Sequence, residues 1–157
     1  MLPEQLAELT LATYSQAQGP PVDIISIVRT AGIRLYEWPF TDNRIGGAFR
    51  WVDGVPAIVV NSRHAWARRR FSIAHEFCHY MMDMPSPRSA GTMLHRGRAP
   101  MCEYRANKYA AALLMPADLV CGLHKRGAPV DAMCTVMGVS KQAMNIRLNE
   151  LRREGRL

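Results

Sequence analysis

The sequence has few cysteines and no long run of hydrophobic residues. Four of its 157 residues are cysteine, and no two of them form a CxxC pair, which excludes a disulfide-rich secreted scaffold. No stretch approaches the roughly 18 consecutive apolar residues that a membrane-spanning helix needs. The first residues, MLPEQLAELT, lack the basic start and the apolar run of a signal peptide. These absences predict a cytoplasmic protein that has reduced thiols and no membrane partner.

The sequence does contain enough hydrophobic residues for one folded core. They make up 48% of the chain, against 21% charged residues, and this balance excludes general disorder. A chain of this length can bury a core of its own and corresponds to one domain. We therefore expect a single domain over residues 1–157, in which residues 127–157 form a helical pair packed against the rest.

Positive charge is concentrated in the later part of the chain, and the formal net charge is +7. Residues 1–60 carry four basic and six acidic side chains, residues 61–100 carry seven and two, and residues 101–157 carry nine and five. Such a surface is compatible with an acidic protein partner, with nucleic acid, or simply with a solvated basic face. The charge alone does not distinguish these alternatives.

The hydrophobic pattern changes from helical to alternating and back along the chain. Helices are predicted over residues 3–17, 22–30, 65–82 and 102–115, from residue 116 onwards, and twice within 127–157. Strands are predicted over residues 33–38, 46–52 and 56–61, with Asp53-Gly54 as a tight turn. The predicted fold class is therefore α+β, with several helices and a small, mostly antiparallel three-stranded sheet. Residues 84–100 contain three prolines and are predicted to form a loop.

A metal-binding motif, HExxH, lies within the long helix predicted after the sheet. His75 and His79 are four residues apart and therefore lie on one face of a helix, where both imidazoles can bind one zinc ion. Glu76 flanks that position without binding the metal, and it can take a proton from a water molecule that zinc acidifies. Two histidines on a helix surface without a metal are the alternative interpretation.

A catalytic zinc needs a third protein ligand, and four downstream residues are candidates: His95, Cys102, Glu103 and His124. Glu103 is favoured because it begins a helical segment whose small residues would let it approach the HExxH helix closely. Asn107, one turn later, would hold Glu103 or a histidine in place. The spacing alone leaves open that Glu103 is only a carboxylate stabilised by the dipole at the start of its helix.

Two segments of the chain resemble the ImmA/IrrE family of zinc metallopeptidases, which are gluzincin-like HExxH enzymes. They are RRFSIAHEFCHY, which contains the motif, and EYRANKYAAALLMP, which begins at Glu103. The segment Gly138–Leu148 fits as well, so that the resemblance covers roughly residues 20–150. Two departures fall outside the ligand positions, namely Cys78 where a glycine is frequent and Tyr109 where a phenylalanine is frequent.

The resemblance implies a zinc-dependent endopeptidase, in which His75, His79 and Glu103 are the zinc ligands and Glu76 is the general base. Members of the family cleave helix-turn-helix repressors, often encoded next door, and so relieve repression, for example in stress responses and toxin–antitoxin-like operons. This chain is thus expected to cleave such a repressor. The alternative is a DNA- or repressor-binding regulator that keeps the metal site but has little proteolytic activity.

The segment from Val130 to Leu148 resembles a helix-turn-helix itself. Ser140 can cap its second helix, and Gln142, Asn145 and Arg147 would then be available to read bases. The alternative is a helical hairpin packed on the peptidase core, which we favour because the family carries this segment as part of its domain. The sequence therefore allows nucleic acid as a partner without favouring it.

The predicted strands suggest where a protein substrate would bind. Zinc peptidases commonly take their substrate as an additional strand on the edge of a sheet. We expect one strand between Gly46 and Asn61 to be that edge.

Overall fold

Seven helices and three strands form the described part of the chain, which in this computed structural model comprises residues 1–14, 19–83 and 100–157. The helices are α1 (Pro3–Tyr14), α2 (Ile24–Thr30), α3 (Trp66–Asp83), α4 (Pro100–Leu114), α5 (Ala117–Lys125), α6 (Val130–Met137) and α7 (Lys141–Arg153). The strands are β1 (Arg34–Trp38), β2 (Gly47–Val52) and β3 (Val55–Asn61). The predicted α+β class is confirmed. Among these residues no helix is both long and apolar enough to cross a bilayer.

Helix boundaries follow local capping chemistry. Asp23 caps α2, because its carboxylate accepts a hydrogen bond from the Ser26 amide at 3.1 Å. Ser140 caps α7 as predicted, with its Oγ accepting from the amide of Ala143 at 3.1 Å. Pro100 occupies the first position of α4, where its missing N–H leaves no donor unpaired. The rest of the loop predicted over residues 84–100 lies outside the described residues.

The turn between β2 and β3 is the one that the sequence predicts. Asp53 and Gly54 both have positive φ angles, of 51° and 74°, as a two-residue type I′ hairpin turn requires. Val52 and Val55 are partners in the antiparallel register directly beside the turn. The two strands therefore form a tight hairpin that ends just before α3.

The sheet is mixed, and the prediction of a mostly antiparallel sheet was wrong for β1. The strand order is β1-β3-β2, with β2 antiparallel and β1 parallel to β3. Turn signals in a sequence report the pairing of consecutive strands, whereas the pairing of β1 with β3 skips a strand. β3 is central, and its residues Ala57 and Ile58 are fully buried. As a consequence, β1 and β2 are the two edges of the sheet that the described strands form.

Helix α3 packs between the sheet and α4, and α1 packs on α4. On α4, Ala106 and Ala110 are fully buried. These small side chains let α4 approach α3 closely, as predicted. On α3, Phe77 and Cys78 are buried in the core. This packing brings the HExxH helix next to the helix that begins near Glu103.

Polar contacts attach the two C-terminal helices to α3 and α4. Arg70 of α3 donates from Nε to the Gly138 carbonyl at 3.1 Å, and Lys108 of α4 donates to Glu150 of α7 at 2.6 Å. Gly138 ends α6 with a φ of 65°, and a Cβ atom there would lie 2.6 Å from the Trp66 ring. Only glycine therefore fits at this junction.

Arg147 is not available to read bases, in contrast to the interpretation from the sequence. Its side chain is buried, and its Nε donates to the Met115 carbonyl at 3.1 Å. Its two terminal nitrogens donate to the Glu4 carboxylate at 3.0 and 2.6 Å. The helix-turn-helix pattern does not show which face of α7 packs against the protein. Gln142 and Asn145, in contrast, are exposed.

Candidate metal centre

His75 and His79 lie one turn apart on the inner face of α3. Both side chains are buried, and their Nε2 atoms are 3.1 Å apart. Because the helix fixes the two Cα positions, the convergence of the rings follows from the i, i+4 spacing. The two nitrogens are thus close enough to bind the same metal ion.

Glu103, in the first turn of α4, places its carboxylate beside these two nitrogens. Its Oε2 lies 3.2 Å from His75 Nε2, and its Oε1 lies 3.3 Å from His79 Nε2. Four ligands at about 2.0–2.1 Å from a tetrahedral zinc are separated from one another by about 3.3 Å. The spacing of these atoms therefore fits zinc without rearrangement. Within residues 1–14, 19–83 and 100–157, this trio is the group that could hold a metal ion.

Asn107 orients the first histidine, as the sequence suggested. Its Oδ1 lies 2.9 Å from His75 Nδ1. Since an amide oxygen only accepts hydrogen bonds, Nδ1 carries the proton and Nε2 presents a lone pair to the cluster. Such a support for a ligating histidine typically fixes both its tautomer and its ring orientation. The convergence of a lone pair, a second imidazole and a carboxylate favours a cation among them.

Glu76 is fully buried beside the cluster and is attached to the sheet. Its Oε2 accepts a hydrogen bond from the backbone N–H of Phe49 on β2 at 2.9 Å. In the antiparallel register, the Asn61 amide donates to the Gly46 carbonyl. By alternation, the N–H groups of Gly47, Phe49 and Trp51 point away from β3. The carboxylate of Glu76 is therefore held on the side of β2 that faces away from β3.

Two glycines that the sequence analysis did not single out make this contact possible. A Cβ atom at Gly46 would lie 2.5 Å from Ser72 Oγ, and one at Gly47 would lie 2.9 Å from the Val59 carbonyl oxygen and 3.5 Å from Glu76 Cγ. Consecutive glycines at the start of a predicted strand are a signal for such a close approach. They allow β2 to lie directly against α3.

The other candidate ligands lie elsewhere or cannot be placed. Cys102 immediately precedes Glu103, but its Sγ accepts from Arg105 at 3.7 Å and does not belong to the trio. His124 lies on α5 and does not belong to it either. His95 is outside the described residues.

Two further polar side chains, His64 and Tyr80, have contacts with other parts of the fold. The ring of His64 is buried, and its Nε2 lies 2.9 Å from the Asn43 carbonyl oxygen. Tyr80 packs its ring against Phe49 and stacks on Phe77, at centroid distances of 5.7 and 6.0 Å. His64 therefore supports the segment before β2, and Tyr80 fills the space between α3 and the sheet.

Tyr109 explains one departure from the family pattern. Its hydroxyl lies 2.9 Å from Thr10 Oγ1, and the Thr10 hydroxyl donates to the Leu6 carbonyl at 2.8 Å. Burial raises the pKa of Tyr109, so that the phenol stays protonated and donates to Thr10. The tyrosine therefore adds a bond between α4 and α1 that a phenylalanine could not make.

Comparison with known families agrees with these observations. A family model described as the IrrE N-terminal-like domain, a peptidase family, matches residues 28–149. The matched region contains the whole trio, Glu76, and both edge strands. No curated protein matches the chain.

Proposed function

Because the chain belongs to the peptidase family of the IrrE N-terminal-like domain, we propose that it is a zinc-dependent endopeptidase. The observation that carries this proposal is the trio of His75, His79 and Glu103, whose ligand atoms converge at the spacing of a zinc shell. Two imidazoles and one carboxylate form a ligand set of catalytic zinc sites, which leave the fourth position open. A zinc ion held there would supply a Lewis acid that polarises the scissile carbonyl and acidifies water.

Glu76 is the proposed general base. It lies next to His75 in the sequence, and its Oε2 accepts a hydrogen bond from the Phe49 amide. This bond holds the carboxylate beside the metal position, where it would act as a proton acceptor. It would take one proton from the attacking water as oxygen bonds to the carbonyl carbon. It would then give that proton to the amine nitrogen as the C–N bond breaks.

The open edge of β2 is the proposed binding surface for the substrate backbone. The backbone groups of Gly47, Phe49 and Trp51 point away from β3, and Glu76 takes the Phe49 N–H. A substrate strand that pairs with the outward backbone groups of Gly47 would pass directly beside the base. This arrangement favours an extended, locally unfolded stretch of a protein substrate.

The proposed substrate is a helix-turn-helix repressor, encoded nearby and cleaved in the cytoplasm so that its target genes are expressed. This proposal rests on the resemblance to repressor-cleaving members of the family. The second candidate function is a regulator that binds DNA or a repressor without cleaving it. The exposed polar residues Gln142 and Asn145 of α7 favour this alternative, while the burial of Arg147 weakens it.

The substitution Glu76→Gln separates the two functions. The amide oxygen can still accept from Phe49, so that fold and zinc content should be unchanged, but the amide cannot take a proton from water. Cleavage of a repressor encoded beside the gene should fall by about 10²–10⁴-fold, measured by gel electrophoresis of the mixed purified proteins. Glu8→Gln, at an exposed position of α1, is the matched control and should cleave normally.

The same variants can be compared in cells with a reporter gene under the repressor. The parent chain and Glu8→Gln should relieve repression under the inducing condition, and Glu76→Gln should not. If Glu76→Gln relieves repression as well as the parent does, proteolysis is not how the protein acts and the binding regulator is the correct function.

A further inference from the structure

The face of the sheet that points away from α3 carries exposed aromatic side chains. Phe49 contacts Tyr80 of α3, so strand alternation places Phe49 on the inner face and its neighbours on the outer face. The register puts Tyr36 and Trp38 of β1 on that outer face as well. Tyr36 is 43% exposed and Trp38 is 62% exposed. Two large aromatic rings thus lie side by side on a surface that the described helices do not cover.

Unpaired positive charge lies on the same face. Arg34 of β1 and Arg50 of β2 are both register partners of Ala57 on the central strand, so they flank it from either side. Both are exposed, and neither forms an ion pair within residues 1–14, 19–83 and 100–157. The strand residues on this face include no aspartate or glutamate. The face is therefore aromatic and cationic.

A hollow beside β1 extends this surface. It has a volume of about 440 Å³, and its lining includes Arg29, Arg34 and Tyr36. Arg29 is exposed at the end of α2. Two guanidinium groups beside a phenol ring match the two parts of a nucleotide, because guanidinium binds phosphate and an aromatic ring stacks on a base.

We propose that this outer face binds single-stranded nucleic acid, a function beyond the proposed peptidase activity and independent of the metal. Tyr36 and Trp38 are two residues apart on a strand, about 6.6 Å, and would each stack on one of two consecutive bases. Arg29, Arg34 and Arg50 neutralise the phosphates on either side. Bases in a duplex are already stacked and do not reach the rings. An acidic peptide would use the arginines but would leave the aromatic rings without a role.

Fluorescence anisotropy of labelled dT12 and U12 with the full chain tests the proposal and distinguishes DNA from RNA. Tyr36→Ala/Trp38→Ala should weaken binding by at least about 25-fold. Arg34→Gln/Arg50→Gln should make the plot of log affinity against log salt shallower by about 1.4. The control Arg152→Gln/Arg153→Gln removes the same charge from exposed positions of α7. Because it keeps both aromatic rings, it should weaken binding less than Tyr36→Ala/Trp38→Ala does. Thermal unfolding verifies that each variant is folded.

A second measurement places the contact at Trp38. In a Trp51→Phe/Trp66→Phe background, Trp38 is the remaining tryptophan of the chain, and dT12 should quench its fluorescence. The proposal is overturned if neither oligonucleotide binds, if a duplex binds as tightly, or if polyglutamate binds equally well. It is also overturned if the α7 control weakens binding as much as the aromatic variant does. Glu76→Gln should bind dT12 normally, so that failure of the peptidase proposal would not affect this result.

Discussion

Two buried polar clusters in this chain are built in opposite ways. Between α3 and α4, the ligand atoms of His75, His79 and Glu103 converge on one another at 3.1–3.3 Å. Around Arg147, every contact pairs a donor with an acceptor. The guanidinium donates hydrogen bonds to both carboxylate oxygens of Glu4 and to the Met115 carbonyl. The first arrangement favours a cation from outside the chain, and the second is balanced by the chain itself.

The contrast indicates different physical roles for buried charge. A carboxylate packed against two buried imidazoles is partly desolvated, which costs stability, and binding of a cation offsets that cost. A buried cation with its own carboxylate stabilises the contact between the helices only while both partners are present. Changes in the first cluster should therefore alter metal affinity, and changes in the second should alter the free energy of unfolding.

Glu103→Ala should have the largest effect. It removes one of three proposed ligands, and even the loss of a residue that only supports a ligand lowers metal affinity about 10–100-fold. We expect zinc affinity to fall by more than about 100-fold, as measured by competition with a chromophoric chelator. In thermal unfolding, zinc at 100 times the dissociation constant of the parent should stabilise the parent by about 2.7 kcal/mol and the variant by at most about 0.4 kcal/mol.

Glu154→Ala, at an exposed position after α7, is the control for this experiment and should bind zinc like the parent. Unchanged zinc affinity in Glu103→Ala would exclude Glu103 as a ligand. Cys102 and His95 would then be the next residues to substitute.

Arg147→Met should show the opposite pattern. It removes the donor of the Met115 carbonyl and leaves the Glu4 carboxylate only its longer ion pair with Arg156, at 3.6 Å. Breaking a buried pair costs about 3 kcal/mol where one partner is partly exposed, as Glu4 is. Urea unfolding measures this loss, while zinc affinity should stay within about twofold. Arg147→Lys keeps the charge but lacks the planar fork that reaches the Glu4 carboxylate and the Met115 carbonyl together. Its free energy of unfolding should lie between those of the parent and Arg147→Met. A large loss of zinc affinity in Arg147→Met would show that the two clusters are not separate.

Local patterns predicted the first cluster better than the second. The i, i+4 spacing of His75 and His79 fixes their geometry on a single helix, so the sequence could show it. The contact of Arg147 with Glu4 joins residues at opposite ends of the chain, and no local pattern reports it. The pairing of β1 with β3 was missed for the same reason. The closeness of Glu76 to Phe49 required the packing of β2 on α3, which only the glycines at 46 and 47 indicated.

Asn107→Ala should give a smaller loss within the first cluster. Without the amide oxygen, His75 can rotate and can take the other tautomer, so we expect zinc affinity to fall by about 10–100-fold. Asn107→Asp keeps an acceptor for Nδ1 and should retain most of the affinity. Isothermal titration calorimetry of the three proteins measures the difference. Equal affinities for Asn107→Ala and the parent would mean that the contact at 2.9 Å does not orient the ligand.

Tyr109→Phe should have the smallest effect. It serves as a reference for the second cluster because it removes a hydrogen bond without removing a charge. It removes the donor to Thr10 but leaves Thr10 bonded to the Leu6 carbonyl, so unfolding should become easier by about 1 kcal/mol. Thr10→Val should cost more, because it buries the tyrosine hydroxyl without its acceptor, and the double variant should recover part of that loss. The bond between Tyr109 and Thr10 links α1 to α4, and Arg147 links α1 to α7 through Glu4. If Tyr109→Phe destabilises the protein as much as Arg147→Met, the attachment of α1, rather than the buried charge, determines the stability of the second cluster.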